Sequence, residues 1–152
     1  MFDTVLIAGL GLMGGSMAKT IKARTLSRVL GWNRTRATAE QALADGSIDA
    51  IATEALYKEA DLVIIGLYPQ ATVEWLLENM PKMKKGCVIV DMVGVKQFMV
   101  DHLEQAALDA GVHYVGGHPM AGREFSGLDY SLPTLFDGAS MIFVPTRSSN
   151  ER

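Results

Sequence analysis

Short apolar runs alternate with amphipathic stretches along the chain, and this alternation predicts strands and helices in turn. The apolar runs are rich in Val, Ile and Leu, which is typical of strands buried on both faces of a parallel sheet. Between them, apolar residues recur at the helical period, as in the stretches 70–78 and 95–110. The predicted strands are 5–8, 29–32, 50–53, 62–66, 87–91, 112–115 and 141–144.

This order of elements predicts an α/β fold with a doubly wound, mainly parallel sheet of about seven strands. Right-handed crossovers bring the loops that follow the strands to one edge of such a sheet. Ligands bind at that carboxyl edge in sheets of this kind. We therefore expect the functional residues in the loops that follow the strands.

Glycines follow the first predicted strand with the spacing G-x-G-x-x-G, at Gly9, Gly11 and Gly14. Gly9 permits a tight turn, Gly11 lets the backbone approach a pyrophosphate, and Gly14 lets the next helix pack closely on the strand. The N–H groups at the start of that helix, around Leu12 and Met13, then hold the anion. Such turns also occur for packing reasons alone, but the position between a strand and a helix favours a Rossmann-type dinucleotide site.

The residues after the second predicted strand determine which dinucleotide we expect. Asn33 stands where an acidic residue usually binds the ribose hydroxyls of NAD, and Arg34 and Thr35 follow it. An arginine pairs well with the extra phosphate of NADP, so we predict NADP in preference to NAD. Alternatively, Asn33 or Thr35 caps the next helix and the arginine is solvated. The other residues of the predicted cofactor site follow two further strands: Tyr68, Pro69 and Asp91.

Composition narrows the class of protein further. The chain has 152 residues, 49% of them hydrophobic, and a formal net charge of −3, which gives no electrostatic footprint for nucleic acid or an anionic membrane. A single cysteine, Cys87, indicates a reducing, cytoplasmic compartment. The apolar start lacks the basic residues of a signal peptide, and no apolar run approaches the ~20 residues that span a bilayer. We assign 1–146 to one dinucleotide-binding domain and 147–152 to a polar tail or the start of a linker.

A second informative segment, at 116–127, contains the candidate catalytic residue. Pro119 keeps His118 out of the helical region, so we expect His118 to project from an extended turn just after a strand. The glycines around it, including Gly122, suit a loop that lies beside a ligand. A histidine is the usual proton acceptor when a carbon that bears a hydroxyl gives up hydride. The alternative for a single histidine is a structural hydrogen bond.

Taken together, the segments 9–16, 91–96 and 118–127 resemble the prephenate dehydrogenase family, whose close relatives are the arogenate and cyclohexadienyl dehydrogenases. The resemblance implies oxidative decarboxylation of prephenate to 4-hydroxyphenylpyruvate in tyrosine biosynthesis, with hydride transfer to NAD(P)+. It also implies that His118 binds the 4-hydroxyl group of the substrate and takes its proton. Lys96, Gly122 and Glu124 are candidates for the substrate pocket, and we assign no metal ligands.

The sequence departs from this family in two ways. Many members have a serine at the position of Gly94, where it orients the catalytic histidine, so a different group or a water must orient His118 here. The family also continues into an all-helical domain, which supplies much of the dimer interface and the arginine that binds the substrate carboxylate. That domain is absent from this chain, and we expect the chain to be the cofactor-binding part.

Alternatives to prephenate dehydrogenase remain open at this point. The substrate is prephenate or arogenate, because the residues that would distinguish them are not in this chain. Another β-hydroxyacid-type dehydrogenase would use Lys96 rather than His118 to carry the proton. A dinucleotide-binding module without catalysis would keep the glycine turn and lack the reaction.

Overall fold

The predicted doubly wound α/β architecture is confirmed by the structure, a computed structural model that describes residues 1–149. The described residues form one seven-stranded sheet. Its strands are β1 (Thr4–Ala8), β2 (Arg28–Trp32), β3 (Ala50–Ile51), β4 (Leu62–Ile65), β5 (Val88–Asp91), β6 (His113–Pro119) and β7 (Met141–Pro145). The α-helices are α1 (Leu12–Arg24), α2 (Arg36–Ala44), α3 (Glu54–Tyr57), α4 (Pro69–Asn79) and α5 (Lys96–Ala110).

The strand order creates the place where a ligand binds in such folds. The order is β3-β2-β1-β4-β5-β6-β7, so the chain moves outwards in one direction from β1 and in the other from β4. Strands β1 to β6 pair in parallel, and β7 alone pairs antiparallel, with β6. The order reverses between β1 and β4, which is the topological switch point.

Helices cover both faces of the sheet. Successive side chains of a strand point to opposite faces, so neighbouring residues pack against different helices. Ile7 belongs to one core cluster, together with Ala18 of α1 and residues of α2. Leu6, its neighbour in β1, belongs to the other cluster, with Leu76 of α4 and Leu103 of α5. Burial of both faces explains why the strand sequences are apolar throughout instead of alternating between apolar and polar residues.

Strand β6 is longer than the sequence predicts. The expected strand ended at residue 115, whereas β6 continues to Pro119. The extension exists because β7 pairs with it, with Gly116 opposite Val144 and His118 opposite Ile142. His118 therefore lies within a strand near its carboxyl end, and the expectation of an extended turn after the strand is wrong. The pairing is between distant residues, which a local sequence pattern does not report.

The segment after β7 packs on the sheet instead of leaving it at once. Residues Arg147–Ser149, the first part of the predicted polar tail, form a 3-10 turn. The Arg147 guanidinium lies 2.5 Å from Glu104 of α5. The Ser148 hydroxyl accepts the N–H of Tyr114 at 2.9 Å. Residues 150–152 of the predicted tail lie outside the described residues. Among residues 1–149, every helix is too short or too polar to cross a membrane.

Candidate cofactor and catalytic site

The glycine turn after β1 is packed so closely that two of its glycines admit no side chain. Gly9 adopts a φ of +93°, in the left-handed region. A Cβ on Gly14 would lie 1.7 Å from the carbonyl oxygen of Gly9. Gly66, which follows β4, is part of the same contact, since a Cβ added to Gly66 would lie 3.0 Å from the backbone nitrogen of Gly14. The packing role predicted for Gly14 is thus confirmed, and the loops after β1 and β4 meet.

The start of α1 is open, in contrast to the turn beneath it. A Cβ on Gly11, the N-cap residue, would have no heavy atom within 4 Å. No side chain caps the first turn of α1, and that turn contains no acidic residue. The N–H groups around Leu12 and Met13 and the positive end of the helix dipole therefore suit an anion such as a pyrophosphate. These residues fit a dinucleotide.

Asn33 joins the end of β2 to the glycine turn. Its Oδ1 accepts the backbone N–H of Leu10 at 2.9 Å, and its Nδ2 donates to the carbonyl of Thr35 at 3.0 Å. Thr35 is the N-cap residue of α2, without a side-chain hydrogen bond to the helix. Arg34 is exposed beside it. Asn33 therefore has a structural role, and Arg34 remains accessible to a ligand.

Tyr68 and Pro69 lie at the start of α4, next to the glycine turn. Tyr68 is the N-cap residue and is 85% exposed, while Pro69 occupies the first turn. The preceding Leu67 reaches the turn, because its Cδ2 would lie 2.8 Å from a Cβ on Gly9. The structure therefore brings the predicted residues after β1, β2 and β4 to adjoining positions on one edge of the sheet.

Asp91, at the end of β5, has a fully buried carboxylate. Its Oδ1 accepts the N–H of Val93 at 3.0 Å and pairs with the Lys96 ammonium. Its Oδ2 accepts the hydroxyl of Tyr114. The side chain of Asp91, predicted to bind the cofactor, is thus surrounded by protein donors, and that of Lys96, predicted for the substrate pocket, points to Asp91.

The hydroxyl of Tyr114 is kept protonated by its surroundings. Burial raises the pKa of Tyr114, and the nearby charge of Asp91 raises it further. The hydroxyl therefore remains a hydrogen-bond donor to the carboxylate. The sequence-based prediction missed Tyr114; the available signal was a tyrosine inside an apolar strand, since a buried tyrosine hydroxyl needs a partner.

His118 faces the segment between β5 and α5. A Cβ on Gly94 would lie 3.5 Å from Cε1 and 3.6 Å from Nε2 of the His118 ring. His118 is partly buried, and Gly94 is exposed. Among the hydrogen bonds of residues 1–149, none involves this imidazole, so the structural hydrogen bond considered as its alternative role is not seen there. The ring is available to a ligand that enters past Gly94.

The other two residues predicted for the substrate pocket lie on the surface. A Cβ on Gly122 would meet no atom within 4 Å, and Glu124 is exposed. The neighbouring Arg123 donates to the carbonyl of Tyr130 at 2.6 Å and lies 5.9 Å from the centre of the Phe125 ring. Gly122 and Glu124 thus follow β6 in an open loop.

A separate apolar cavity of about 470 Å³ lies on the sheet near β5, β6 and β7. Its lining includes Val90, Val115, Met141 and Phe143, and it includes neither His118 nor the glycine turn. Without polar groups that converge on a ligand, this cavity is a poor candidate for the chemistry. Residues 1–149 also contain no cluster of side chains suited to a metal ion.

Comparison with known proteins shows which family the chain belongs to. The family model described as "Prephenate dehydrogenase, nucleotide-binding domain" matches residues 17–152. The chain belongs to the prephenate dehydrogenase family. It is 36% identical over its whole length to a prephenate dehydrogenase of Bacillus subtilis and 31% identical over 95% of its length to a cyclohexadienyl dehydrogenase of Zymomonas mobilis. It spans 42% and 50% of the length of these two family members.

Solved structures of family members have the same fold. The prephenate dehydrogenase of A. aeolicus in complex with hydroxyphenyl propionate and NAD+ superposes with a TM-score of 0.88 at 28% identity, over 99% of this chain and 53% of that one. Synechocystis arogenate dehydrogenase gives a TM-score of 0.86 at 25% identity, over 97% of this chain and 52% of that one. The nucleotide-binding domain of the family is thus present in this chain.

Proposed function

We propose that this domain serves the oxidative decarboxylation of prephenate to 4-hydroxyphenylpyruvate in tyrosine biosynthesis. The observation that carries the proposal is the position of His118, near the carboxyl end of β6, on the edge that also holds the open start of α1. Four strand spacings separate β2 from β6, or about 19 Å along this edge. An extended dinucleotide lying across it would have its adenosine near β2 and its nicotinamide near His118.

The cofactor in this proposal is NAD(P)+, with NADP preferred. The A. aeolicus relative was solved with NAD+, which supports a nicotinamide dinucleotide. Preference for NADP is supported by the neutral Asn33 and the exposed Arg34 at the end of β2. The proposed cofactor-binding residues lie along the edge from β2 to β5: Gly9, Gly11, Leu12, Met13, Gly14, Asn33, Arg34, Thr35, Tyr68, Pro69 and Asp91. For Asp91, whose side chain is buried, the contribution is support of the loop that follows β5.

In this reaction the side chains of the domain have few chemical roles. The bound nicotinamide supplies the hydride acceptor. His118 binds the 4-hydroxyl of the substrate and takes its proton as hydride leaves the ring carbon C4. The bond to the ring carboxylate breaks and carbon dioxide departs. The electron pair of that bond makes the ring aromatic, and the phenolate oxygen takes the proton back from His118. Since aromatisation makes the reaction strongly favourable, the protein mainly aligns the donor, the acceptor and the base. Lys96, Gly122 and Glu124 are the proposed residues of the substrate pocket, with Lys96 acting through its pairing with Asp91.

The complete enzyme in this proposal contains more than the described domain. The relatives are about twice as long as this chain. A helical domain would supply the dimer interface and the arginine for the substrate carboxylate. A cytoplasmic location is supported by the single, unpaired and buried Cys87.

Arogenate is the second candidate substrate. The arogenate dehydrogenase of Synechocystis is nearly as similar in fold as the prephenate dehydrogenase of A. aeolicus. The two substrates differ in the keto or amino group of the side chain, away from the hydroxyl that His118 would bind. The nucleotide-binding domain therefore suits both.

A substrate comparison tests the proposed function. The complete enzyme, in which this domain is joined to the helical domain, is incubated with NADP+ and, in separate reactions, prephenate, arogenate and a β-hydroxyacid such as 3-hydroxyisobutyrate. We expect formation of reduced cofactor and carbon dioxide in equal amounts with prephenate, and 4-hydroxyphenylpyruvate as the organic product. Oxidation of the β-hydroxyacid alone would assign the protein to another class of dehydrogenase, and cofactor binding without any oxidation would favour a non-catalytic module.

A further inference from the structure

The buried carboxylate of Asp91 accepts from three protein donors. One lies on β6, one at the start of α5, and one in the loop between β5 and α5. The donors are the Tyr114 hydroxyl of β6, the Lys96 ammonium at the start of α5, and the N–H of Val93. The Asp91 side chain is 0% exposed and that of Lys96 is 15% exposed. A charge in such a place is tolerated only when its partners are fixed around it, so this cluster defines the relative positions of β5, β6 and α5.

The segment between β5 and α5, which contacts the Asp91 carboxylate, lies opposite the imidazole ring of His118. Val93 and Lys96 lie on either side of Gly94 in the sequence, so the segment 92–95 is tied to the carboxylate at both ends. A Cβ on Gly94 would lie within 3.6 Å of the His118 ring nitrogen Nε2. A shift of this short segment would therefore change the space in front of the imidazole.

Lys96 connects this loop to the strand that carries His118. A Cβ on Gly116 would lie 3.0 Å from Cδ of Lys96, so the absence of a side chain makes room for the lysine stem. Gly116 precedes His118 by two residues, and strand alternation places Tyr114, Gly116 and His118 on the same face of β6. The Asp91 cluster and the imidazole therefore share one face of the sheet.

We propose that Asp91 is a positioning residue that, through Val93, Lys96 and Tyr114, fixes the segment 92–95 against the imidazole of His118. The proposal rests on the proposed function, in which His118 takes the substrate proton. Replacement of the carboxylate with an amide leaves Lys96 without its counter-charge and presents an N–H₂ group to donors. The segment 92–95 would then relax, while the glycine turn and Asn33, on other strands, would stay in place.

Steady-state kinetics of the complete enzyme give the first test. We expect Asp91→Asn to lower kcat roughly 10- to 100-fold, because small misplacements of reacting groups have effects of this size. The KM for NADP+ should change much less than kcat, because the glycine turn and Asn33, which lie on other strands, keep their positions. Asp49→Asn is the matched control, since Asp49 likewise accepts a backbone N–H, that of Val29, and pairs with Lys22, but at the opposite edge of the sheet. The Asp49→Asn variant should have the wild-type kcat and the wild-type KM for NADP+.

Histidine NMR gives a second readout that needs no turnover. The chain has three histidines, and the Cε1–H signal of His118 is identified by its loss in His118→Asn. We expect the chemical shift of that signal to change in Asp91→Asn and in Tyr114→Phe, and to stay unchanged in Asp49→Asn. The signal of His102, on α5 away from the cluster, is the internal reference.

The outcomes separate this proposal from the proposed function. Wild-type protein that does not oxidise prephenate would overturn the function, while the NMR comparison would still decide the positioning role. A folded Asp91→Asn variant with wild-type kcat and an unmoved His118 signal would overturn the positioning role alone. If Asp91→Asn does not fold, Tyr114→Phe and Lys96→Met decide the question, and unchanged His118 signals in both would overturn the proposal.

Discussion

Asn33 has a structural role in the fold, and in our proposal it also affects the choice of cofactor. Its side-chain oxygen holds the Leu10 N–H of the glycine turn, and its amide nitrogen donates to the Thr35 carbonyl. The first of these bonds needs an acceptor, which an aspartate would also provide. The neutral amide therefore matters less for the turn than for the charge that a cofactor phosphate would meet.

Asn33→Asp should reverse the cofactor preference. The carboxylate still accepts the Leu10 N–H, so the turn is kept, but its charge repels the extra phosphate of NADP. We expect the Kd ratio of NADP+ to NAD+ to rise about tenfold or more, which corresponds to about 1.4 kcal/mol. Calorimetric titration of the full chain with both cofactors measures the ratio, and the affinity for NAD+ is the internal control. An unchanged ratio would refute the assignment of NADP preference to this position.

Local sequence patterns were sufficient for some residues of the site and insufficient for others. The spacing of Gly9 and Gly14 predicted their turn and packing, since backbone conformation and steric contact within a short segment decide both. The partners of Asp91 could not be predicted, because Tyr114 lies 23 residues away and meets it only when β5 and β6 pair.

At the amino edge of the sheet, two aspartates each fix the start of a strand. Asp61 accepts the N–H groups of Asp3 and Thr4 at 3.0 and 2.9 Å and pairs with Lys84. Asp49 accepts the N–H of Val29 at 2.8 Å and lies 2.6 Å from Lys22. Both side chains thus connect a loop to the first residues of β1 or β2.

These aspartates should make the stability of the protein depend on acidic pH. The hydrogen bond from Lys84 is the main cause that lowers the pKa of Asp61 from its usual 3.8. For Asp49, burial has the largest single effect and raises the pKa, but Lys22 and the Val29 N–H together lower it overall. Because the folded state has the lower values, both contributions are present above the ordinary pKa and are lost as pH falls through the folded-state pKa.

Urea unfolding of Asp49→Asn/Asp61→Asn measures this contribution. At about pH 7, we expect the double variant to be less stable than the wild type, by under about 1 kcal/mol for each site. The difference in the free energy of unfolding should shrink when both proteins are measured at about pH 3. A difference that stays constant between the two pH values would show that the carboxylate charges do not contribute.

Strand β6 shows where a local sequence pattern fails to predict the end of a secondary-structure element. Its first residues have an apolar pattern of their own, while the part from Gly116 to Pro119 is a strand only because β7 pairs with it. The helices predicted at 70–78 and 95–110 match α4 and α5 to within one residue at each end, and Gly111 adopts the left-handed conformation of a C-cap after α5. Helix signals are local, whereas pairing with β7 spans more than twenty residues.

For the whole molecule, the order of the strands brings the candidate site residues to one edge of the sheet. The loops after β1, β2 and β4 meet around the glycine turn, and the Asp91 cluster joins the loop after β5 to β6. The chain belongs to the prephenate dehydrogenase family and spans about half the length of the relatives it matches. The proposed catalytic role of His118 is therefore best measured in the complete enzyme.

The central claim is that His118 takes the substrate proton at this edge, and the turnover of His118→Asn tests it most directly. The substitution breaks none of the hydrogen bonds seen among residues 1–149, so the fold should be kept. With saturating NADP+ and prephenate, we predict that kcat falls roughly 100- to 10,000-fold while NADP+ still binds with wild-type affinity. A folded His118→Asn variant that oxidises prephenate at the wild-type rate would contradict the account.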